Sequence, residues 1–221
     1  MPSSTVENYL KAILQLSPGD DALVPMGELA AALAVVPGTA TTMAKGLATE
    51  GLIVHRPRQG VRLTPAGRRV ALGVLRRHRL VETFLVNVLK MDWADVHAEA
   101  ERLEHAISDE VLDRLDALLG RPVADPHGDP IPSRGGALPS PVHAALATCA
   151  VQRGLRIVRV TEQTADFLHF AEAHGLRPGA LIQVVERDLA AGTVSFQIEA
   201  KKAQTLGLAA AANILVERSR A

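Results

Sequence analysis

Residues 78–105, HRLVETFLVNVLKMDWADVHAEAERLEH, constrain this chain more than any other stretch. His78 and Glu82 stand four apart, and His97, Glu101, Glu104 and His105 follow at offsets of 0, 4, 7 and 8. Residues three and four apart share one face of a helix. The spacing therefore predicts two successive helices, the first presenting His78 and Glu82, the second presenting the other four as a single stripe. Taken singly, a His or Glu on a helix is usually solvated surface. Three imidazoles and three carboxylates at helical spacing read instead as a divalent-metal site. A hydrolytic centre would need an open coordination position and a general base. The stripe lacks the HExxH arrangement and no nucleophile motif stands out, so an enzyme is not expected.

Charge is segregated around this stretch, although the formal net charge is +0. Residues 36–80 carry nine Lys/Arg and one acid, Glu50, whereas residues 92–116 carry nine acids and two arginines. A basic half suits phosphates and an acidic half suits cations, unless both are merely solvated helix faces. The single cysteine, Cys149, excludes an intrachain disulfide and a Cys-cluster metal site, and fits a reducing, cytoplasmic location. No apolar run reaches the length of a membrane span. The N-terminus lacks the basic start and small-residue cleavage site of a signal peptide. With aromatics at 3%, the core must be built from Ala, Leu and Val.

The basic half has an order. Residues 3–16 read as a helix capped by Ser3 or Ser4, with Val6, Leu10, Ile13 and Leu14 on its apolar face. Residues 25–35 and 39–50 read as two more helices around a Val36-Pro37-Gly38 turn, the second capped by Thr39: a helix-turn-helix. Short strands at 52–54 and 61–63 flank the basic turn His55–Gly60, which reads as a wing. A β-hairpin with solvated arginines is the plainer alternative. Thr39, Thr41, Thr42 and Lys45 on the reader helix, with Arg56, Arg58 and Arg62 in the wing, are the expected DNA contacts. No Arg, Asn or Gln occupies the front of the reader helix, so specificity leans on thymine methyls and DNA shape.

Beyond the wing, a helix from Pro65 to about Lys90, one over 93–107 capped by Asp92, and one over 109–119 capped by Ser108 are expected. Val96, Leu103, Ile107, Val111, Leu112, Leu115 and Leu118 would serve a symmetric dimer or simple core packing. Residues 121–141, with six prolines and three glycines, read as a linker in which His127 is structural or exposed. Strands at 156–160, 180–187, 193–200 and 213–218 and a helix at 164–174 read as a small SH3-like barrel.

In this order the segments HRLVETFL, VHAEAERLEHAISDEV, DPHGDPIP, PGTATTMAKGLATEGLI and GVRLTPAGRR resemble the diphtheria toxin repressor and manganese transport regulator family of metal-dependent transcriptional repressors. The resemblance covers nearly the whole chain. It implies a mainly α architecture: a winged helix-turn-helix domain (1–72), a helical metal-binding and dimerisation domain (73–120), a linker (121–154) and a C-terminal SH3-like β-barrel (155–221). It implies a homodimer on double-stranded operator DNA near metal-uptake genes, with no membrane and no small organic substrate as partner. Position by position, it implies His78, Glu82, His97, Glu101, Glu104 and His105 as metal ligands. Glu101 stands where iron-responsive relatives carry a softer sulfur ligand and manganese-responsive ones a carboxylate, which favours Mn(II) over Fe(II). The manganese branch has an Asp and, one turn on, a Glu in helix one; here those positions hold Asn8 and Lys11. Asn8, with Glu7 beside it, is a weaker ligand candidate, and a protonated Lys11 cannot ligate. Glu162, Asp166 and His169 are further candidates, since the iron branch draws ligands from its SH3-like domain. An iron-responsive repressor, a winged-helix regulator sensing another ligand, and a metal-storage protein remain the rival readings.

Overall fold

The computed structural model describes residues 3–19, 21–139, 142–151, 154–198 and 202–219. The chain divides into two compact units. One holds residues 1–78, 103–108 and 132–138; the other holds residues 79–102, 109–131 and 139–221. No helix among the described residues is long and apolar enough to cross a membrane.

The first unit opens with α1 (Ser4–Leu16), where the Ser3 hydroxyl accepts from the Val6 amide at 3.4 Å. Tyr9, Leu10, Ala12 and Ile13 are its buried face. The expected helix pair is present as α2 (Met26–Ala32) and α3 (Pro37–Thr49). α3 starts earlier than the sequence suggested. Val36 is its N-cap, and Pro37 takes a first-turn position, where its missing amide costs nothing. Thr39 therefore lies inside the helix and caps nothing. Ala40, Ala44 and Leu47 form the buried side of α3, in one core with Leu29 and Ala30 of α2.

Strands β1 (Ile53–Arg56) and β2 (Gly60–Leu63) pair antiparallel from Ile53↔Leu63 to Arg56↔Gly60. Val24 and Val61 exchange amide–carbonyl bonds of 2.8 and 2.9 Å, adding a third short rung. Gly60 is required there: its φ is +134°, and a Cβ would lie 2.3 Å from the Val24 carbonyl oxygen. Helix α4 (Pro65–Asn87) follows, with Thr64 accepting from the Gly67 amide.

In the second unit the helix expected over 93–107 is only α5 (Val96–Leu103). At its front the Asp92 carboxylate accepts from the Ala94 amide at 2.9 Å, a turn that buries Trp93 instead of extending the helix. At its end the Ala106 amide bonds the Leu103 carbonyl, a tight turn. Glu104 and His105 thus follow α5 rather than ride on it, and the predicted four-residue stripe stops at Glu101. Helix α6 (Asp109–Leu118) comes next.

The rest of this unit is β3 (Ala144–Ala145), β4 (Leu155–Val160), α7 (Ala165–Ala173), β5 (Leu181–Asp188), β6 (Thr193–Ile198), β7 (Gln204–Gly207), α8 (Leu208–Ala211) and β8 (Ile214–Arg218). The sheet runs β3-β8-β4-β5-β6-β7, every neighbouring pair antiparallel. Residues 199 and 200, the end of one expected strand, lie outside the described residues. Alternation buries Leu155, Ile157, Val184, Val194, Phe196, Ile214 and Val216 on one face. No closed barrel is found among the described residues: β3 and β7 end the sheet without pairing to each other. Helix covers 42% of the described residues and strand 20%, so the expectation of a mainly α protein is corrected to a mixed one.

The proline-rich stretch after α6 contains an ordered polar loop. Gly128 (φ +90°) lies so close to β4 that a Cβ would sit 1.9 Å from the Val158 carbonyl oxygen. The Val160 amide donates to the His127 carbonyl at 2.8 Å. This loop buries Asp125, His127 and Asp129.

Candidate functional site

Among the described residues, ligand-type side chains gather within each of the two units. In the second unit Glu82, on the latter part of α4, is 2% exposed. Its Oε1 is 3.2 Å from His97 Nδ1, and His97 Nε2 is 3.6 Å from Glu101 Oε1, one turn along α5. Its Oε2 faces His127 Nδ1 at 4.0 Å, and His127 Nδ1 is 3.9 Å from Asp125 Oδ1. Glu82, Asp125 and His127 bring ligand atoms within 4.8 Å of one another, all three residues buried.

The local chain explains this convergence. Asp125 Oδ1 accepts from the backbone amides of His127 and Asp129, pinning the loop. His127 stacks on Trp93 at 5.5 Å between centroids, and its Nε2 donates to the Trp93 carbonyl at 2.9 Å. That bond fixes the tautomer and leaves Nδ1 as the nitrogen with the lone pair. Nδ1 is buried without a hydrogen-bond partner. Burial, reinforced by the Asp129 and Glu82 carboxylates, pushes the Asp125 carboxyl up to about 8, with Arg79 pulling the other way. The three carboxyls of Glu82, Asp125 and Asp129 outnumber the two guanidiniums paired with them, Arg79 with Asp125 and Asp129 and Arg159 with Asp129, and that surplus beside a buried acceptor nitrogen suits a divalent cation. Oxygen and imidazole nitrogen are the only donor types in this group.

The first unit gathers Glu7, Asn8 and Lys11 of α1, Arg77 and His78 of α4, and Glu104 and His105. Glu104 is fully buried, with Oε1 2.6 Å from Lys11 Nζ and Oε2 2.6 Å from His78 Nδ1. Burial works upward on its carboxyl, but His78 and Lys11 together outweigh it and hold the group below its ordinary value. Glu7 Oε2 meets His105 Nδ1 at 2.6 Å, and Arg77 reaches both Glu7 oxygens at 3.3 and 3.5 Å. His105 Nε2 is 2.8 Å from Asn8 Oδ1.

The weaker candidates lie elsewhere. Glu162 accepts from the Thr164 amide ahead of α7, Asp166 is exposed in the first turn of α7, and His169 is 3.9 Å from Asp92. None of the three belongs to the Glu82–Asp125–His127 group.

On the DNA-reading side, Thr39, Thr42 and Lys45 are exposed on α3. The Thr41 and Thr42 hydroxyls donate back to the Pro37 and Gly38 carbonyls at 2.8 and 3.0 Å. Gly38, Thr39, Thr42, Met43 and Gly46 line a groove of about 460 Å³ along the helix. Arg56 and Arg58 are exposed on the wing, Arg58 at φ +66°. Arg62 is instead turned to Asp21 at 3.5 Å.

Comparison with known proteins matches the chain in three blocks. Residues 1–61 match the iron dependent repressor N-terminal DNA binding domain, 64–133 the iron dependent repressor metal binding and dimerisation domain, and 145–218 the FeoA domain. The diphtheria toxin repressor of Corynebacterium diphtheriae is 32% identical over 197 residues, which is 83% of this chain and 85% of that one. The chain belongs to the diphtheria toxin repressor family. A solved manganese-dependent transcriptional repressor in complex with manganese is 38% identical, covers 96% of this chain and 99% of its own, and superposes with a TM-score of 0.84. An iron-dependent repressor of Mycobacterium leprae is 36% identical over 129 residues, 58% of this chain and 55% of that one.

Membership of the diphtheria toxin repressor family makes the chain a metal-dependent, DNA-binding transcriptional repressor concerned with metal homeostasis. Its relatives are repressors, not enzymes. The family includes both iron and manganese regulators. Reading the sequence by helical spacing did not place Asp125 and His127 beside Glu82, because they lie in a proline-rich loop; of the two readings of His127, exposed is corrected, since it is buried. The signal was present in Asp125-Pro126-His127-Gly128-Asp129: three ligand-type residues on alternate positions around a glycine.

Proposed function

We propose that this chain is a manganese-responsive repressor that binds operator DNA as a homodimer and shuts off metal-uptake genes when the ion is plentiful. The buried Glu82–Asp125–His127 group, with His97 and Glu101 beside Glu82, carries the reading. Its oxygens and imidazole nitrogens suit a hard divalent ion, and it contains none of the sulfur donors that select softer ones. When bound, the ion would add to the positive charge that Arg79 brings to Asp125 and Asp129 and Arg159 brings to Asp129. To hold it, Asp125 would release its proton to solvent, His127 would offer Nδ1 while its Nε2–H stays on the Trp93 carbonyl, and Glu82 would join the loop to α4.

Metal and DNA sites are then linked by a coupling free energy: whatever the ion adds to the DNA-binding conformation, DNA adds to ion affinity. In that conformation the two α3 helices of a dimer enter successive major grooves, ~34 Å apart. Thr39, Thr42 and Lys45 face the bases and phosphates, and Arg56 and Arg58 the flanking backbone. The exposed Val111 and Leu118, with Leu115 between them on α6, supply an apolar face for a second copy. Val96 and Leu112 are buried within the protomer and are not part of that face.

The deciding experiment is an operator-binding titration of the purified protein against Mn(II), Fe(II) and Zn(II), with a chelator control. Tightest DNA binding at the lowest free Mn(II) is expected. A response to Fe(II) alone would move the chain to the iron regulators, and operator binding unchanged in chelator would end the reading.

A further inference from the structure

The residues around Glu104 do not fit a metal ion, although they include two carboxylates and two imidazoles. The reason is Lys11. Lys11 is 4% exposed, and its side chain runs inward from α1 to place Nζ 2.6 Å from Glu104 Oε1. The other carboxylate oxygen is held by His78 Nδ1 at the same distance. Glu7, also 4% exposed, is gripped by the Arg77 guanidinium and by His105, whose second nitrogen faces Asn8.

The charges already balance. Glu7 and Glu104 contribute two negatives, Lys11 and Arg77 two permanent positives. A divalent ion arriving at Glu104 would meet an ammonium at bonding distance from its ligand, in a place with almost no water to screen the repulsion. An ammonium has three donors and no lone pair while protonated, so it competes for the carboxylate and cannot join a coordination shell.

We propose that the Lys11 ammonium is a built-in replacement for a metal ion, so that the Glu104 group binds none and the Glu82 group alone takes the regulatory cation. The attachment of α1 to α4 and to Glu104 is then permanent, independent of metal supply. For its regulatory meaning this rests on the function proposed above, but the occupancy of the Glu104 group can be measured separately.

The test uses the full chain and counts Mn(II) bound per protomer by equilibrium dialysis with elemental analysis, with a thermal melt of each variant. Lys11→Glu removes one positive and adds one negative, leaving the deficit that a divalent ion fills. It is expected to bind one more Mn(II) than the unmodified protein and to melt higher with Mn(II) than without. The double variant Lys11→Glu with Glu104→Gln should lose that extra ion. Glu82→Gln should abolish the ion that the unmodified protein binds. Should the Lys11 variants fail to fold, crystals of the unmodified protein soaked in Mn(II) decide through anomalous scattering. A peak at the Glu82 group only supports the proposal; a peak in coordination distance of Glu104 overturns it. Folded Lys11→Glu with no additional Mn(II) overturns it equally. If the unmodified protein bound no Mn(II) at all, the proposed function and the assignment of the cation to the Glu82 group would both fall, while an ion gained by Lys11→Glu would still support the replacement of a metal by the Lys11 ammonium.

Discussion

His127 has one nitrogen committed to a carbonyl and the other buried without a partner, between two carboxylates. Replacing it with Ala, or Glu82 with Gln, is expected to weaken Mn(II) binding by at least ~10–100-fold, the loss typical of disturbing even the supporting shell of a metal. Competition with a chromophoric chelator measures this. Asp125 gives the site a pH dependence whose sign follows from linkage. Its carboxyl is raised to about 8 in the folded protein against the ordinary carboxylate range in the unfolded chain. Between those values the native state holds a proton that the unfolded chain has released, so metal-free stability falls as pH rises towards about 8. Denaturant melts in chelator should show this slope, and Asp125→Asn should flatten it. The ion competes with the same proton, so Mn(II) affinity should climb over the same window.

Elements differed in how plainly the sequence announced them. α1 and α4 carry long apolar stripes, and the hairpin carries alternation around a glycine, so their existence could be read directly. α5 could not be read correctly, because helical spacing continues through Glu104 and His105 while the backbone turns after Leu103. What stops it is a local contest between turn and helix, which periodicity does not register. β7 and α8 are four residues each, and β3 two, too short for any pattern. The candidate site was legible in part: Glu82, His97 and Glu101 do lie near one another, but the loop residues beside Glu82 come from a segment that composition alone marks as a spacer. Gly128 tests how much that loop depends on its seat against β4. Gly128→Ala should cost about 2–4 kcal/mol, combining an unfavourable φ with a clash into backbone, and should lower metal affinity as well. In the wing, Arg56→Ala with Arg58→Ala should weaken binding to all DNA sequences. The slope of log affinity against log salt should become shallower by roughly 2, one for each phosphate that no longer has an arginine beside it.

For the whole molecule, the apolar face of α6 makes oligomeric state a measurable property. Val111 is 47% and Leu118 65% exposed in the single chain, large side chains that a second copy would cover. Val111→Glu with Leu118→Glu should convert a dimer into a monomer in sedimentation velocity. Operator affinity should fall with it, since each protomer would then read one half-site by itself. Metal binding should be little changed, because the Glu82 group lies within one chain. Trp93 adds a practical consequence. It is the sole tryptophan of the sequence, and its ring lies flat against the imidazole of His127. An ion arriving on the far nitrogen of that imidazole alters the electric field felt by the indole, and a paramagnetic one drains its excited state. The protein therefore carries its own optical gauge: its ultraviolet emission should dim as manganese loads and recover on chelation, with no dye attached.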